Sequence, residues 1–87
     1  MSEAEDRLLV RLRQEVEAAL GPHITVSEVR RAVQPSGVGL IVDCQTPLGP
    51  WRIDAVGSSI VEAASRLIRQ AAEDRLAIAF REVTTPR

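Results

Sequence analysis

The chain has 87 residues, 12 acidic and 11 basic side chains, a formal net charge of −1 and a single cysteine. This length predicts one domain, residues 1–87, and the near-neutral charge does not resemble the strongly basic composition typical of nucleic-acid-binding proteins. One cysteine excludes an internal disulfide, and a domain this small buries only about 60–65% of its unfolded surface, so we expect an oligomer.

Residues 4–20 form the first predicted helix. Apolar side chains recur there at the three- and four-residue spacing of a helix with one buried face. Gly21-Pro22 then ends the helix, because glycine suits the position after the last turn and proline cannot continue it. The apolar positions are Leu8, Leu9, Leu12, Val16, Ala19 and Leu20.

Residues 23–34 allow two interpretations. β-Branched side chains at the start and alternation from Val29 onwards favour a half-exposed strand. The alternation changes phase near Ser27-Glu28, which predicts a bulge there. The competing interpretation is a short helix that begins at Thr25 or Ser27 and places Val29 and Val33 on one side.

Two more strands follow a predicted turn at Pro35-Ser36-Gly37. Residues 38–45 alternate cleanly and place Cys44 among the apolar side chains, so we expect a buried thiol. Residues 46–50 have the composition of a loop between antiparallel strands, and residues 51–56 form the third strand. Trp51 begins that strand, and we expect it to cover the edge of the core.

The stretch from Gly57 to Val83 predicts one long amphipathic helix. Ser58 or Ser59 can act as the N-cap, and Glu62 follows Ser59 at the spacing of a capping box. The apolar residues indicate a single stripe with one buried face. They are Ile60, Ala64, Leu67, Ile68, Ala71, Ala72, Leu76, Ala79, Phe80 and Val83.

The predicted fold is α+β, with the order α-β-β-β-α in two layers. A three-stranded antiparallel sheet carries both helices on one face and leaves the other face in solvent. Four charged residues on that open face are placed to form cross-strand pairs. They are Arg30, Asp43, Arg52 and Asp54.

Residues 57–64, with the sequence Gly-Ser-Ser-Ile-Val-Glu-Ala-Ala, resemble the start of the second helix in the double-stranded RNA-binding domain, whose elements follow the same order. The resemblance implies that fold and contact with duplex RNA. The family holds phosphates with lysines where Ile60, Val61 and Ala64 stand here, and its Gly-Pro-x-His loop is replaced by residues 35–37. The RNA surface that the resemblance implies is therefore weakened. The same stretch is also similar to HicB-type antitoxins, in which a glycine and a hydroxyl residue lead into a helix starting Glu-Ala.

Few residues suggest catalysis. His23 is the only histidine and has no nucleophile or carboxylate beside it, so we expect it on a surface loop. Asp43 and Asp54 on adjacent strands could hold a divalent ion or exchange protons, but the nearby arginines favour a charged sheet face. We expect no enzyme activity, no cofactor and no metal site.

The length of the last helix suggests a function. About twenty-five residues at ~1.5 Å each span ~37 Å, whereas strands of six to eight residues span ~20–27 Å, so the last turns extend beyond the sheet. Our hypothesis is a homodimer or other oligomer, with Leu76 and Phe80 as anchors. The competing interpretation is that the first helix covers this end. The predicted interface comprises Leu76, Ile78, Ala79, Phe80 and Val83.

The alternative function is binding of duplex RNA through a set of arginines. These are Arg30, Arg31, Arg52, Arg66 and Arg69.

The acidic start of the chain lacks the features of a signal peptide, and no apolar run is long enough to span a bilayer. The lone cysteine fits a reducing compartment. We therefore expect a cytoplasmic protein with no membrane partner.

Overall fold

Two helices and one three-stranded sheet make up the described part of the chain. The computed structural model describes residues 3–84, and its strands pair antiparallel in the order β1-β2-β3. The predicted α+β fold with its α-β-β-β-α order is confirmed. The elements are α1 (Glu3–Leu20), β1 (Thr25–Gln34), β2 (Gly37–Thr46), β3 (Gly49–Gly57) and α2 (Ile60–Thr84).

The strand interpretation of residues 23–34 is confirmed, and the short helix is wrong. The register of β1 against β2 shifts between Val26 and Glu28, where the change of alternation predicts a bulge. The extra residue lets Val26 and Val29 lie opposite Cys44 and Val42, so the apolar side of β1 stays on one face of the sheet.

One face of the sheet is buried beneath the two helices. α1 packs against β1, α2 packs against β2 and β3, and the helices contact each other. The opposite face has no helix among the described elements, which is common for an antiparallel sheet. Among the described residues, thirteen buried apolar side chains form the core: Leu12, Val16, Leu20, Ile24, Val26, Leu40, Val42, Cys44, Ile53, Ala63, Leu67, Ala71 and Ile78.

The start of α2 is fixed by hydrogen bonds and by a close approach of the backbone. The Glu62 backbone N–H donates to the Ser59 hydroxyl oxygen at 3.2 Å, so Ser59 is the N-cap. The Glu62 carboxylate accepts hydrogen bonds from the backbone N–H and the hydroxyl of Ser58. In a capping box it would instead accept from the backbone N–H of the N-cap residue, Ser59. A Cβ on Gly57 would lie 2.5 Å from the Ala63 nitrogen, so the chain needs glycine there.

Candidate protein-interaction surface

Helix α2 carries apolar side chains on two opposite faces. Its buried face comprises Ala63, Leu67, Ala71 and Ile78. Residues two positions apart in an α-helix are rotated by about 200° around the helix axis. Leu76 therefore points away from the face that holds Ile78. The prediction of a single buried stripe is therefore wrong for the second half of α2. We call the opposite set the outer face, which comprises Ala72, Leu76, Ala79, Phe80 and Val83.

The outer face is open to solvent. Leu76 is 61% exposed, Phe80 is 68% exposed and Val83 is 85% exposed. Every residue from 79 to 84 is exposed, so the last turns of α2 stand clear of the sheet. The competing interpretation, in which the first helix covers this end, is wrong for these side chains.

Ile78 differs from the other residues of the predicted interface. Its side chain is only 3% exposed and belongs to the core cluster. It lies where the end of α2 meets the loop after α1, in a groove that is also lined by Leu20, His23, Pro47, Arg75 and Glu82. Ile78 thus holds α2 to its own domain, which leaves Leu76, Ala79, Phe80 and Val83 as the accessible part of the predicted set.

Two exposed charges of opposite sign lie along one flank of the outer face. Arg75 precedes Leu76, and Glu82 precedes Val83. Neither has an ion pair within residues 3–84. Sequence reasoning missed both residues and the contribution of Ala72 to an exposed face. A signal was present in the sequence: a charged residue followed by a large apolar residue occurs at positions 75–76 and again seven residues later at positions 82–83.

Trp51 anchors the middle of α2 to the sheet. Its Nε1–H donates to the Asp74 carboxylate at 3.0 Å, and the same carboxylate accepts from the Gln70 side-chain amide at 2.8 Å. The Arg81 guanidinium lies 5.2 Å from the centre of the Trp51 ring, within the range of a cation–π contact. Trp51 is half-buried against the core, so its predicted position at the core edge is confirmed.

The open face of the sheet holds a charge cluster around Asp43. Arg52 Nε lies 2.9 Å and Arg30 Nη2 lies 3.6 Å from the Asp43 carboxylate oxygens, which confirms the predicted cross-strand pairing for these three residues. The hydrogen bond with Asp43 raises the pKa of Arg52. Asp54 has no ion pair with another described residue. Two arginines around one carboxylate make this a charged sheet face rather than a paired-carboxylate site.

The five arginines of the RNA hypothesis do not form one patch. Arg30 and Arg52 lie on the open face, whereas Arg31 pairs with Glu5 of α1. Arg66 pairs with Glu62 at 3.2 Å and donates to the Val56 carbonyl at 2.8 Å. Only Arg69 has no ion pair with a described residue. Four of these cations are thus partly neutralised within the protomer.

The remaining candidate groups show no reactive geometry. Burial raises the pKa of the Cys44 thiol to about 11, with smaller contributions from Asp43 and Asp74. The thiol is therefore protonated near neutral pH, as is typical of a structural cysteine. His23 is exposed in the loop after α1. The described part of the chain contains no group of three potential metal ligands among its histidine, cysteine, aspartate and glutamate side chains.

Comparison with known proteins finds no matching family model, no significantly similar curated protein and no significantly similar solved structure. The resemblances to the double-stranded RNA-binding domain and to HicB-type antitoxins therefore stay predictions. Neither described helix has the length and apolar character needed to cross a membrane.

Proposed function

We propose that the protein is a non-enzymatic protein–protein interaction module that associates with itself through the outer face of α2. The exposure of Leu76, Phe80 and Val83 opposite the buried face supports this function. These three residues follow each other at intervals of four and three, which places them on one side of the helix, where a second helix could pack. A face of this kind fits another helix, and a second copy of the chain supplies one.

The size of the outer face fits a modest affinity. Three large apolar side chains and two alanines expose on the order of 400–500 Å² per copy. A pair would bury about 800–1,000 Å², near the lower end of specific interfaces, before any contribution from polar flanks. Since the costs of association remove most of the gross gain from burial, we expect a dissociation constant in the micromolar range.

The small size of the domain also favours self-association. With 87 residues and no disulfide, the chain depends on one small core for its stability. Binding that requires the folded protomer stabilises it by mass action. A second copy would thus cover the exposed turns of α2 and stabilise the fold.

The substitution Phe80→Asp tests this proposal. It places a charge on the largest exposed apolar side chain of the outer face, so we expect the mass in light scattering to fall towards the 9.5 kDa of one protomer while the helical circular dichroism stays unchanged. Val33→Asp is the matched control, since Val33 is 98% exposed on β1, away from the outer face. Equal masses for Phe80→Asp and the wild type, at concentrations where the wild type is dimeric, would contradict the proposal.

Binding of duplex RNA has less support as the alternative. The affinity of such proteins depends largely on unpaired cations that displace counterions from phosphates. Here the candidate arginines lie on different surfaces of the protein, and most of them form an ion pair with a carboxylate of the same chain.

The cytoplasmic location also stays a prediction.

A further inference from the structure

We infer that the second copy binds with its α2 antiparallel to the first, so that Arg75 of each copy faces Glu82 of the other. This inference rests on the proposed function and adds the orientation of the partner and a pair of specificity-determining charges. The twofold axis would pass beside residues 77 and 78, and the overlap would span residues 71–84.

The alternation of large and small side chains favours the antiparallel orientation. The seam residues Ala72, Leu76, Ala79 and Val83 follow each other at intervals of four, three and four. In an antiparallel pair, Leu76 packs on Ala79 of the second copy and Val83 packs on Ala72. Each layer then contains one large and one small side chain.

A parallel pair would fit less well. Each seam residue would meet the same residue of the second copy, so leucine and valine layers would alternate with alanine layers. Two facing alanines leave a gap between helices that the neighbouring large side chains hold apart, and such a gap loses packing contacts. The antiparallel pair avoids this gap. Phe80, beside Ala79 on the other flank from Arg75, would cover the edge of the same layers.

Charge complementarity points to the same orientation. Arg75 and Glu82 are exposed, lack ion pairs within the described chain and lie one heptad apart on the flank of the outer face that borders the groove beside the loop after α1. In an antiparallel pair they meet twice, once on each side of the twofold axis. In a parallel pair they would stay ~10 Å apart along the helix axis. The two charges therefore favour a copy of the same chain in one orientation.

The position of the core leaves room for this arrangement. The buried face of α2, with Leu67, Ala71 and Ile78, lies opposite the seam. The sheet and α1 of each copy would therefore lie on the far side of its own α2. The paired helices would run between the two domains, and the last turns of each α2 would reach along the α2 of the other copy.

A charge-swap experiment tests the inference. In Arg75→Glu or Glu82→Arg alone, both intermolecular pairs become like-charged, so we expect the dissociation constant from sedimentation equilibrium to rise about tenfold. The double variant Arg75→Glu/Glu82→Arg restores opposite charges in an antiparallel pair and should return the constant to within about twofold of the wild type. Arg7→Glu is the control, because Arg7 is exposed on α1, where it pairs with Glu3 of the same helix.

The outcomes separate the orientation from the self-association itself. If the wild type dimerises and the double variant stays as weak as the single variants, or if the single variants do not weaken, the antiparallel pairing is wrong although the proposed function stands. If the wild type is monomeric throughout, the proposed function fails, and the pairing fails with it.

Cysteine cross-linking provides a second readout that does not depend on charge. A mixture of Ala72→Cys and Val83→Cys proteins should form the mixed disulfide dimer on mild oxidation, whereas neither variant alone should cross-link efficiently. Strong cross-linking of Ala72→Cys with itself would instead indicate a parallel pair and overturn the inference. The wild type controls for Cys44, whose burial and raised pKa make it unreactive in the folded protomer.

Discussion

At the scale of single residues, Glu62 links the sheet to the start of α2. Its carboxylate accepts two hydrogen bonds from Ser58, at the end of the strand-to-helix connection, and its backbone N–H donates to Ser59. These hydrogen bonds, chiefly the one from the Ser58 backbone and then that from its hydroxyl, together with nearby Arg66, lower the pKa of Glu62. The ionised carboxylate therefore stabilises the first turn, on which the position of the whole helix depends.

The pKa of Glu62 predicts how stability depends on pH. Because the folded state holds this pKa below its ordinary value, the stabilisation is fully present above the ordinary glutamate range near pH ~4.3 and is lost as the pH falls through the folded value. We expect Glu62→Gln to lower the urea midpoint at pH ~7 and to flatten its decrease between pH ~5 and ~3. Glu28→Gln, on the exposed side of β1, is the control. Parallel pH profiles for wild type and Glu62→Gln would contradict this role.

At the scale of elements, α2 has two distinct apolar faces. The face with Leu67, Ala71 and Ile78 completes the core, and the outer face is exposed. The hydrogen bond between Trp51 and Asp74 joins α2 to the sheet beside the buried face. This division predicts that neighbouring apolar residues will respond differently to substitution.

Ile78→Ala and Phe80→Ala form a matched pair that tests this division. Ile78→Ala removes buried methyl groups and should lower the free energy of unfolding by about 2–4 kcal/mol. Phe80→Ala should change the unfolding of the isolated protomer by less than about 0.5 kcal/mol, because its ring is 68% exposed. Urea unfolding at protein concentrations below the dissociation constant gives both values. A larger loss for Phe80→Ala than for Ile78→Ala would show that the faces are assigned the wrong way round.

The sequence was sufficient to predict the elements but not the rotation of α2. Alternation of apolar residues and turn residues marked the three strands and the bulge at residues 26–28, because these signals are local. In the second half of α2, apolar residues occur on both faces, and helical spacing alone cannot tell which face meets the sheet. The predicted interface therefore included Ile78, which is buried in the core, and the predicted buried stripe included Leu76, which is 61% exposed.

Contacts between distant parts of the chain were also beyond sequence reasoning. Trp51 and Asp74 are 23 residues apart, and Arg31 and Glu5 are 26 residues apart. No periodicity links such pairs, since they depend on how the helices cross the sheet. The sign pattern of Arg75 and Glu82 was visible in the sequence, but its meaning required knowing that this flank of α2 is exposed.

At the scale of the whole molecule, the protomer is elongated, with extents of 46 × 23 × 17 Å and an accessible surface of 5860 Å². The proposed interface would cover about 7–9% of that surface, somewhat less than the share of about 10% that is typical of specific association. Because the outer face stands opposite the core, a pair of protomers would form a longer particle with the helices at its centre.

The mass of the wild-type protein as a function of concentration tests the central claim most directly. Light scattering between about 1 and 200 µM covers the micromolar range expected from the size of the outer face. We predict a mass that rises with concentration from 9.5 kDa towards twice that value and levels off there. A constant mass of one protomer across the whole range would contradict the proposal that the outer face of α2 binds a second copy.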